Sequence, residues 1–352
     1  MAGIARPLML VSATVDASLR RDVAEHARPR PEYLVLESEF GVELLDWSLL
    51  PGGGRGRSPW LSAVHAATAI RRLNGHSAVF SDGEHVGIPL ALAMRTLGIR
   101  TPHLVIGHHM TRGPKTRLMR SLGAHQGMSR ILVHSARQLE LARESLGVPD
   151  NKLSYLPYYA DTEFWAPGDA EEEPLVVAAG REHRDYATLA QAASGIAARV
   201  FVASGSVHSP AASSRYPDRW PDNFEVGFAD YRSLRTLYRR ASVVVVPLVD
   251  SDFQAGVTTV LEAMAVGKAV VVTRTRGQST VVHDGVTGIS VSAGDAAEMR
   301  EAIGHLLDHP DERRRLGSAA RDAVVGGYSV EAYAASLSGH LADLATPNRI
   351  AA

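Results

Sequence analysis

Residues 243–273 have the sequence VVVVPLVDSDFQAGVTTVLEAMAVGKAVVVT. The four valines Val243–Val246, which precede Pro247, predict a buried strand. A loop with two aspartates follows this strand. A helix is predicted from Gly256 to Gly267, since glycine suits a helix end, and a second apolar strand is predicted over Ala269–Val272. Short apolar strands separated by a helix are typical of a parallel sheet whose faces are covered by helices.

The same alternation extends over most of the chain. In the first half, short apolar runs predict strands at Leu8–Val11, Tyr33–Leu36, Ala78–Phe80, Leu104–Ile106 and Ile131–Val133. Helices are predicted near Ser18–Ala27, Pro59–Leu73, Ile88–Leu97 and Ala136–Leu146. In the second half, the strands are Leu175–Ala179, Val200–Ala203, Val243–Val246 and Ala269–Val272. The helices there are Tyr186–Ala193, Tyr231–Arg240, Val257–Ala265, Ala296–Leu307, 310–325 and 329–345.

The two series indicate two domains of α/β class. The polar stretch Ala166–Pro174, which is bounded by prolines, is the best linker candidate, and we place the boundary near residue 168. This predicts two Rossmann-like doubly wound domains, 1–168 and 169–330, that face a cleft. Ligands of such sheets bind outside the carboxyl ends of the strands, and domain interfaces are favoured pocket positions.

Composition excludes several classes of protein. The 352 residues carry a net charge of -1 and no cysteine, so disulfides, Cys-ligated metal sites and a Cys nucleophile are excluded. Near-zero charge argues against nucleic acid as a partner. Apolar runs fall far short of the roughly 20 residues that span a membrane, so a cytoplasmic location is expected.

Common catalytic motifs are missing from the sequence. It contains no His-Glu-x-x-His, Gly-x-Ser-x-Gly, Gly-x-Gly-x-x-Gly or Walker motif. A metallohydrolase, a serine hydrolase of the nucleophile-elbow type and a classical dinucleotide or P-loop protein are therefore disfavoured, and no metal site is expected.

Two segments instead predict a diphosphate site. The helix that begins at Gly256, Val257 and Thr258 presents free amides and a positive dipole end, which favour an anion. Glu262, further along this helix, could accept hydrogen bonds from a ribose diol, although a lone glutamate is more often solvated. In the second segment, Arg181 and Arg184 follow Gly180 after a strand and could clamp a diphosphate; an ordinary solvated turn is the alternative.

The first segment resembles the signature of family 4 retaining glycosyltransferases with the GT-B fold. That signature is a Glu, seven residues and a second Glu within Leu-Glu-Ala-Met-Ala, followed by Gly and a strand. Glu262 matches the second Glu, which in the family binds the nucleotide ribose. The first Glu, which contacts the donor sugar, falls on Gln254; glutamine keeps an acceptor oxygen, gains an NH2 donor and loses the charge. Asp250 or Asp252 could supply the missing carboxylate.

The resemblance extends to other donor-side residues. Arg181 matches a family arginine on the diphosphate, and Arg184 lies where a second cation follows. Gly277, in a turn that resembles the family's glycine-rich loop, is expected near the donor. Tyr158–Trp165 is similar to the family's hinge segment.

In the N-terminal half, His108 and His109 end a predicted strand. The family commonly has a histidine close to the donor sugar at this place, and the sequence does not choose between the two. Asp82 and Glu84 follow another strand and are the acceptor-side candidates. Arg112, Lys115, Arg117, Arg120 and Arg130 form a basic run that could meet an anionic acceptor or the inner membrane surface, or be a solvated helix face.

The resemblance implies transfer of a glycosyl group from a nucleotide-sugar to a small-molecule or glycan acceptor, with retained anomeric configuration. It implies no metal and no cofactor, because the nucleotide-sugar is a substrate. It also implies that a C-terminal helix within 331–352 packs back on the N-terminal domain. A catalytically inactive nucleotide-sugar-binding protein and a GT-B epimerase are the alternatives. Nucleotide base, donor sugar, acceptor and oligomeric state stay open.

Overall fold

The computed structural model describes residues 6–51, 58–111, 113–204, 213–278 and 281–346. The chain divides into two compact units. The first contains the residues up to Asp22, Pro31–Pro157 and the residues from Glu331 onward, and the second contains Val23–Arg30 and Tyr158–Val330.

The first unit is built on a six-stranded parallel sheet. Its strands are β1 (Leu8–Leu10), β2 (Glu43–Leu45), β3 (Val79–Ser81), β4 (His103–Ile106), β5 (Arg130–Val133) and β6 (Leu153–Tyr155), in the order β2-β1-β3-β4-β5-β6. Its helices are α1 (Ala17–Ala24), α2 (Glu32–Phe40), α3 (Pro59–Arg72), α4 (Glu84–Leu97), α5 (Pro114–Ser121), α6 (Ala136–Leu146) and α12 (Val330–Ala345). Strands β1, β3, β4 and β5 are almost entirely buried, as expected for a sheet covered on both faces.

The second unit has a parallel sheet of the same size. Its strands are β7 (Glu173–Ala179), β8 (Arg199–Ala203), β9 (Phe224–Gly227), β10 (Ala241–Val246), β11 (Ala269–Thr273) and β12 (Ile289–Val291), in the order β12-β11-β10-β7-β8-β9. Its helices are α7 (Tyr186–Ala193), α8 (Tyr231–Arg240), α9 (Val257–Ala265), α10 (Ala296–Asp308) and α11 (Pro310–Gly327). The predicted α/β class with two doubly wound sheets is confirmed.

One predicted strand is wrong. Tyr33–Leu36 lies in helix α2, and the strand at this place in the chain is β2. Pro31 precedes the helix, and the negative charge of Glu32 in the first turn interacts favourably with the positive end of the helix dipole. Gly41 ends the helix with a left-handed φ of 65°. Burial of Tyr33 and Leu36 on one helix face explains the apolar run that suggested a strand.

The structure divides the chain between Pro157 and Tyr158, ahead of the boundary predicted near residue 168. Phe164 and Trp165 belong to the apolar core of the second unit, and the predicted hinge segment Tyr158–Trp165 is therefore part of that unit. Asp161 fixes this segment because its buried carboxylate accepts hydrogen bonds from the backbone and guanidinium of Arg30.

Helix α12 belongs to the first unit. The ring of its Tyr333 lies 6.3 Å from that of His134, and the Arg130 guanidinium donates to His340 Nδ1 at 2.8 Å. Within the described residues, no helix is both long and apolar enough to cross a membrane.

Candidate functional site

The first candidate feature is the amino end of α9, at the carboxyl edge of the second sheet. Gly256 takes a left-handed φ of 75°, and a Cβ there would lie 2.8 Å from Val246 Cγ1. Only glycine fits this position, and no side chain of the described residues caps the helix start. Val257 is buried and Thr258 is exposed. The first amides of α9 therefore have no capping side chain, which suits an anionic ligand.

Arg184 joins the turn after β7 to this helix. Its side chain is buried and donates to the Ala179 carbonyl at 2.8 Å, to the Glu182 carbonyl at 2.8 Å and to Thr259 Oγ1 at 3.0 Å. The sequence predicts direct diphosphate contact for Arg184. Because each of its nitrogens donates to the protein, we propose instead that it positions the turn against α9.

Gly180 and Arg181 form that turn. Gly180 has a φ of 107°, and a Cβ there would overlap the Arg184 guanidinium, so the position requires glycine. The Arg181 side chain is partly exposed, and its carbonyl accepts a hydrogen bond from the Ser214 hydroxyl. Arg184 thus lies beneath the turn, and Arg181 is the arginine of this pair that solvent can reach.

Glu262 lies on α9 with a partly buried side chain. Burial raises the pKa of Glu262 to about 8, although the nearby Arg184 charge acts in the opposite direction. When protonated, this carboxyl can both donate and accept hydrogen bonds. A vicinal diol needs both kinds of partner.

Gln254 is the most informative side chain of this site. It is 4% exposed, and neither its carboxamide oxygen nor its nitrogen has a hydrogen-bond partner among the described residues. Burying an amide without partners costs about 1–3 kcal/mol, so this carboxamide needs a partner that the described residues do not supply, such as a bound ligand or water.

A second unpartnered carboxamide lies in the adjoining loop. Both polar atoms of Gln278 are buried and lack partners in the described chain. Gly277 brings the two loops together, because a Cβ there would lie 2.5 Å from the backbone carbons of Asp252 and Phe253. Sequence reasoning missed Gln278; its position directly after Gly277 was the available signal.

The two aspartates of the β10–α9 loop, Asp250 and Asp252, pair with Arg276. Arg276 donates to Asp250 from its backbone at 3.0 Å and from its guanidinium at 3.1 Å, and it lies 3.8 Å from Asp252. These ion pairs join the loops that carry Gln254 and Gln278. They explain the two aspartates without a role on the sugar.

In the first unit, Glu84 organises the candidate acceptor side. Its buried carboxylate accepts from the backbone amides of His108 at 2.8 Å and His109 at 3.2 Å, and pairs with Lys115 at 2.5 Å. Burial alone would raise the pKa of Glu84, but His108, Lys115 and the hydrogen bonds outweigh it and lower the pKa to about 2. We therefore propose that Glu84 holds the histidine loop, whereas the sequence predicts an acceptor contact.

His108 and Asp82 lie together at the carboxyl edge of the first sheet. His108 Nε2 donates to the Asp82 carbonyl at 3.1 Å. The Asp82 carboxylate accepts from the Ser12 hydroxyl at 2.7 Å. Burial raises the pKa of Asp82 to about 6, despite the Ser12 hydrogen bonds. His109 is partly exposed beside this pair.

Most of the predicted basic run is not available as one surface. Lys115 binds Glu84, and Arg130 lies 3.5 Å from Asp343. Arg117 and Arg120 are exposed on α5, whereas Arg112 lies outside the described residues. No group of three or more His, Asp or Glu side chains in the described ranges could hold a metal ion.

The Glu84 contacts predict a pH-dependent loss of stability. Glu84→Gln is expected to lower the free energy of unfolding by about 2 kcal/mol at pH 7, because a carboxylate with a depressed pKa stabilises the fold above its ordinary pKa of 4.5. The difference should shrink as the pH falls from 4.5 towards 2. Urea unfolding at pH 7 and pH 3 measures both.

Glu140→Gln is the matched control, since Glu140 is half exposed in a pair with Arg137 on α6. It should change the free energy of unfolding by less than about 0.5 kcal/mol at either pH. An equal loss in both variants would contradict the role of Glu84.

Comparison with known proteins bears on the family and the fold. Residues 173–309 match the family of glycosyl transferases group 1. A D-inositol 3-phosphate glycosyltransferase of Nocardia farcinica is 28% identical over 59% of this chain and 53% of its own length. The corresponding protein of Nocardiopsis dassonvillei is 25% identical over 74% of this chain and 63% of its own. The chain thus spans only about half to two thirds of these relatives.

Solved structures with low sequence identity share the fold. Sucrose-phosphate synthase from Thermosynechococcus elongatus superposes with a TM-score of 0.72 at 17% identity, over 96% of this chain and 99% of that one. Anabaena HepE in complex with UDP and glucose gives 0.68 at 14% identity, over 97% of this chain and 100% of that one. Residues 173–309 thus match the family of glycosyl transferases group 1, and the chain shares the GT-B fold of these structures, as the resemblance in its sequence predicts.

Proposed function

We propose that the chain is a glycosyltransferase that moves a sugar from a UDP-sugar to a small-molecule or glycan acceptor. The observation that carries this proposal is the start of α9. Its N-cap is Gly256, which offers no capping side chain, and the carboxamide of the nearby Gln254 has no partner among the described residues. Membership of residues 173–309 in the group 1 family supports the reaction class. The UDP complexes of Anabaena HepE support uracil as the base.

In the proposed donor site, the amides of Gly256, Val257 and Thr258 bind the diphosphate together with Arg181. These groups stabilise the charge that develops on the departing nucleotide. Glu262 binds the ribose diol, and Gln254 contacts the sugar. Gly277, which lets the adjoining loop approach closely, brings the Gln278 carboxamide to the same region.

The proposed reaction retains the anomeric configuration and needs no metal ion. The acceptor attacks from the face of the leaving group, so no protein nucleophile is required. Arginine and the α9 dipole replace the metal as the partners of the diphosphate. In the first unit, we propose that His108, His109 and Asp82 bind the acceptor, with Glu84 as the positioning residue.

The neutral Gln254 keeps one other function open. If the family's carboxylate is needed for transfer, its replacement leaves a protein that binds a nucleotide-sugar without turning it over. An epimerase would differ from both the transferase and the binding protein, because it forms an isomerised nucleotide-sugar.

A nucleotide panel tests the donor site. We expect UDP to raise the melting temperature more than GDP, ADP or dTDP, because a ligand at a hundredfold excess over its Kd adds about 2.7 kcal/mol of stability. UDP release from UDP-glucose should then require an acceptor and persist in EDTA, and NMR of the product should show retained configuration.

Three other outcomes would contradict the proposal. A thermal shift without turnover on any acceptor of a broad sugar, polyol and sugar-phosphate panel would indicate a binding protein. Isomerised UDP-sugar without an acceptor would indicate an epimerase. Loss of activity in EDTA would contradict metal independence.

A further inference from the structure

A cavity of about 430 Å³ lies in the second unit, at the opposite end of α9 from Gly256. Its walls are the segment that precedes β7, the residues that follow α9, one face of α11 and one side chain of α8. This volume is typical of a site for a small molecule. No aromatic side chain lines it in the described chain, so it offers nothing on which a nucleobase could stack.

The lining is strongly basic. The described wall residues include one acid, Glu172, and five cations, namely Arg239, Lys268, Arg313, Arg314 and Arg321. Glu172 is shared by Lys268 at 3.1 Å and Arg313 at 2.6 Å, so it neutralises only one of them. Arg314 is exposed and pairs with Asp311 on the same helix.

The other two arginines bind only carbonyl oxygens among the described residues. Arg239 donates to the Ala166 carbonyl at 2.8 and 2.9 Å. Arg321 donates to the Ala265 carbonyl at 2.6 Å and the Thr162 carbonyl at 3.0 Å. These contacts fix the guanidinium groups in place, and neither group forms an ion pair with an acid among the described residues, which suits the binding of an anion.

This concentration of positive charge contrasts with its surroundings. Residues 166–352 contain 18 Lys and Arg against 23 Asp and Glu, so the cavity is basic in an acidic half of the chain. The nearby acids Asp169 and Glu171 are exposed and do not line it. The segment before β7 therefore contributes Glu172 as its one acid in the described cavity wall.

We propose that this cavity binds the phosphate ester of a hexose. The fixed guanidinium groups suit the phosphate, which they can bind in a forked geometry. Ser318, Glu172 and the chain turn at Gly267 supply polar partners for sugar hydroxyls. The site is separate from the proposed donor site, because it lies at the amino ends of β7 and β11 and the donor residues lie at the carboxyl ends.

The test is isothermal titration of the full chain with glucose 6-phosphate, inorganic phosphate and glucose, each with and without UDP. We expect glucose 6-phosphate to bind more tightly than phosphate, glucose to leave no signal, and UDP not to compete. Ser318→Glu adds a carboxylate to the cavity from an exposed helix position, and should weaken glucose 6-phosphate binding about tenfold. Ser318→Gln, which has the same size without the charge, should stay within about threefold of wild type.

Several results would overturn the site. Absence of glucose 6-phosphate binding to the wild-type chain would do so, as would equal affinities for phosphate and the ester. Equal effects of the two Ser318 variants would show that charge in this cavity is not involved. Because no measurement here uses turnover, the proposed transferase activity can fail while this site stands, and the reverse.

Discussion

The Arg181→Ala variant is expected to lose about 100- to 1000-fold in kcat, the usual effect of removing one group that stabilises charge in a transition state. Arg181 is partly exposed on the turn that Arg184 ties to α9, so its charge can reach an anion at the helix start. The fold should be retained, because Arg184 donates to the Glu182 carbonyl and Tyr186 to the Gly180 carbonyl, and both contacts remain in the variant. Steady-state kinetics with UDP-glucose and a working acceptor measures the effect.

Arg199→Ala is the matched control. Arg199 is an exposed arginine of the same sheet, but it lies at the amino end of β8 and pairs with Glu173. Its removal should leave kcat within about twofold of wild type, as usual for an exposed ion pair. Arg181→Lys should recover part of the rate, because lysine keeps the positive charge but cannot bind the diphosphate with two parallel hydrogen bonds as a guanidinium does. Unchanged kinetics of Arg181→Ala at an unchanged melting temperature would remove Arg181 from the site.

Helix bounds were predictable wherever capping residues stand in the sequence. Helix α6 spans the predicted Ala136–Leu146 because Ser135 caps its start and Gly147 ends it in a left-handed conformation. Asp185 and Asp230 cap α7 and α8 in the same way. Local chemistry decides these ends, and local chemistry is what a single sequence displays.

Strands were less predictable, since their identity depends on neighbours distant in sequence. The short edge strands β6, β9 and β12 were not predicted because each has partly exposed residues and no continuous apolar run. At Tyr33–Leu36 the apolar run fitted either element, and packing of a helix face decided it. Periodicity over four residues does not distinguish a strand from a buried helix turn.

The candidate site shows the same division. The segments around Gly180 and Gln254 could be located from glycine, arginine and the glutamate spacing. The sequence could not show which of the two arginines is buried. The Arg184 side chain occupies space that side chains at Gly180 and Gly256 would otherwise fill. That arrangement joins residues far apart in sequence, and only the folded chain brings them together.

Gln254 and Glu262 are expected to act on different parts of the donor. Gln254 precedes the start of α9 and Glu262 lies further along the helix, so we expect the carboxamide to contact the sugar and the carboxyl to bind the ribose. A carboxamide can donate to a hydroxyl or acetamido oxygen, which a carboxylate cannot do. It also tolerates an anionic sugar, which a carboxylate would repel. Gln254 should therefore select the sugar, whatever the nucleotide.

Gln254→Glu should accordingly change kcat or the donor preference while UDP affinity stays within about threefold of wild type. Glu262→Ala should weaken both UDP and donor binding by on the order of 1–3 kcal/mol, since the ribose hydroxyls lose their partner. Gln191→Glu, which adds the same charge at an exposed position of α7, serves as the control and should change neither. Calorimetric titration of UDP into the three variants, with donor kinetics alongside, separates the two positions. If Gln254→Glu abolishes UDP binding and Glu262→Ala does not, the assignment of sugar and ribose to these residues is reversed.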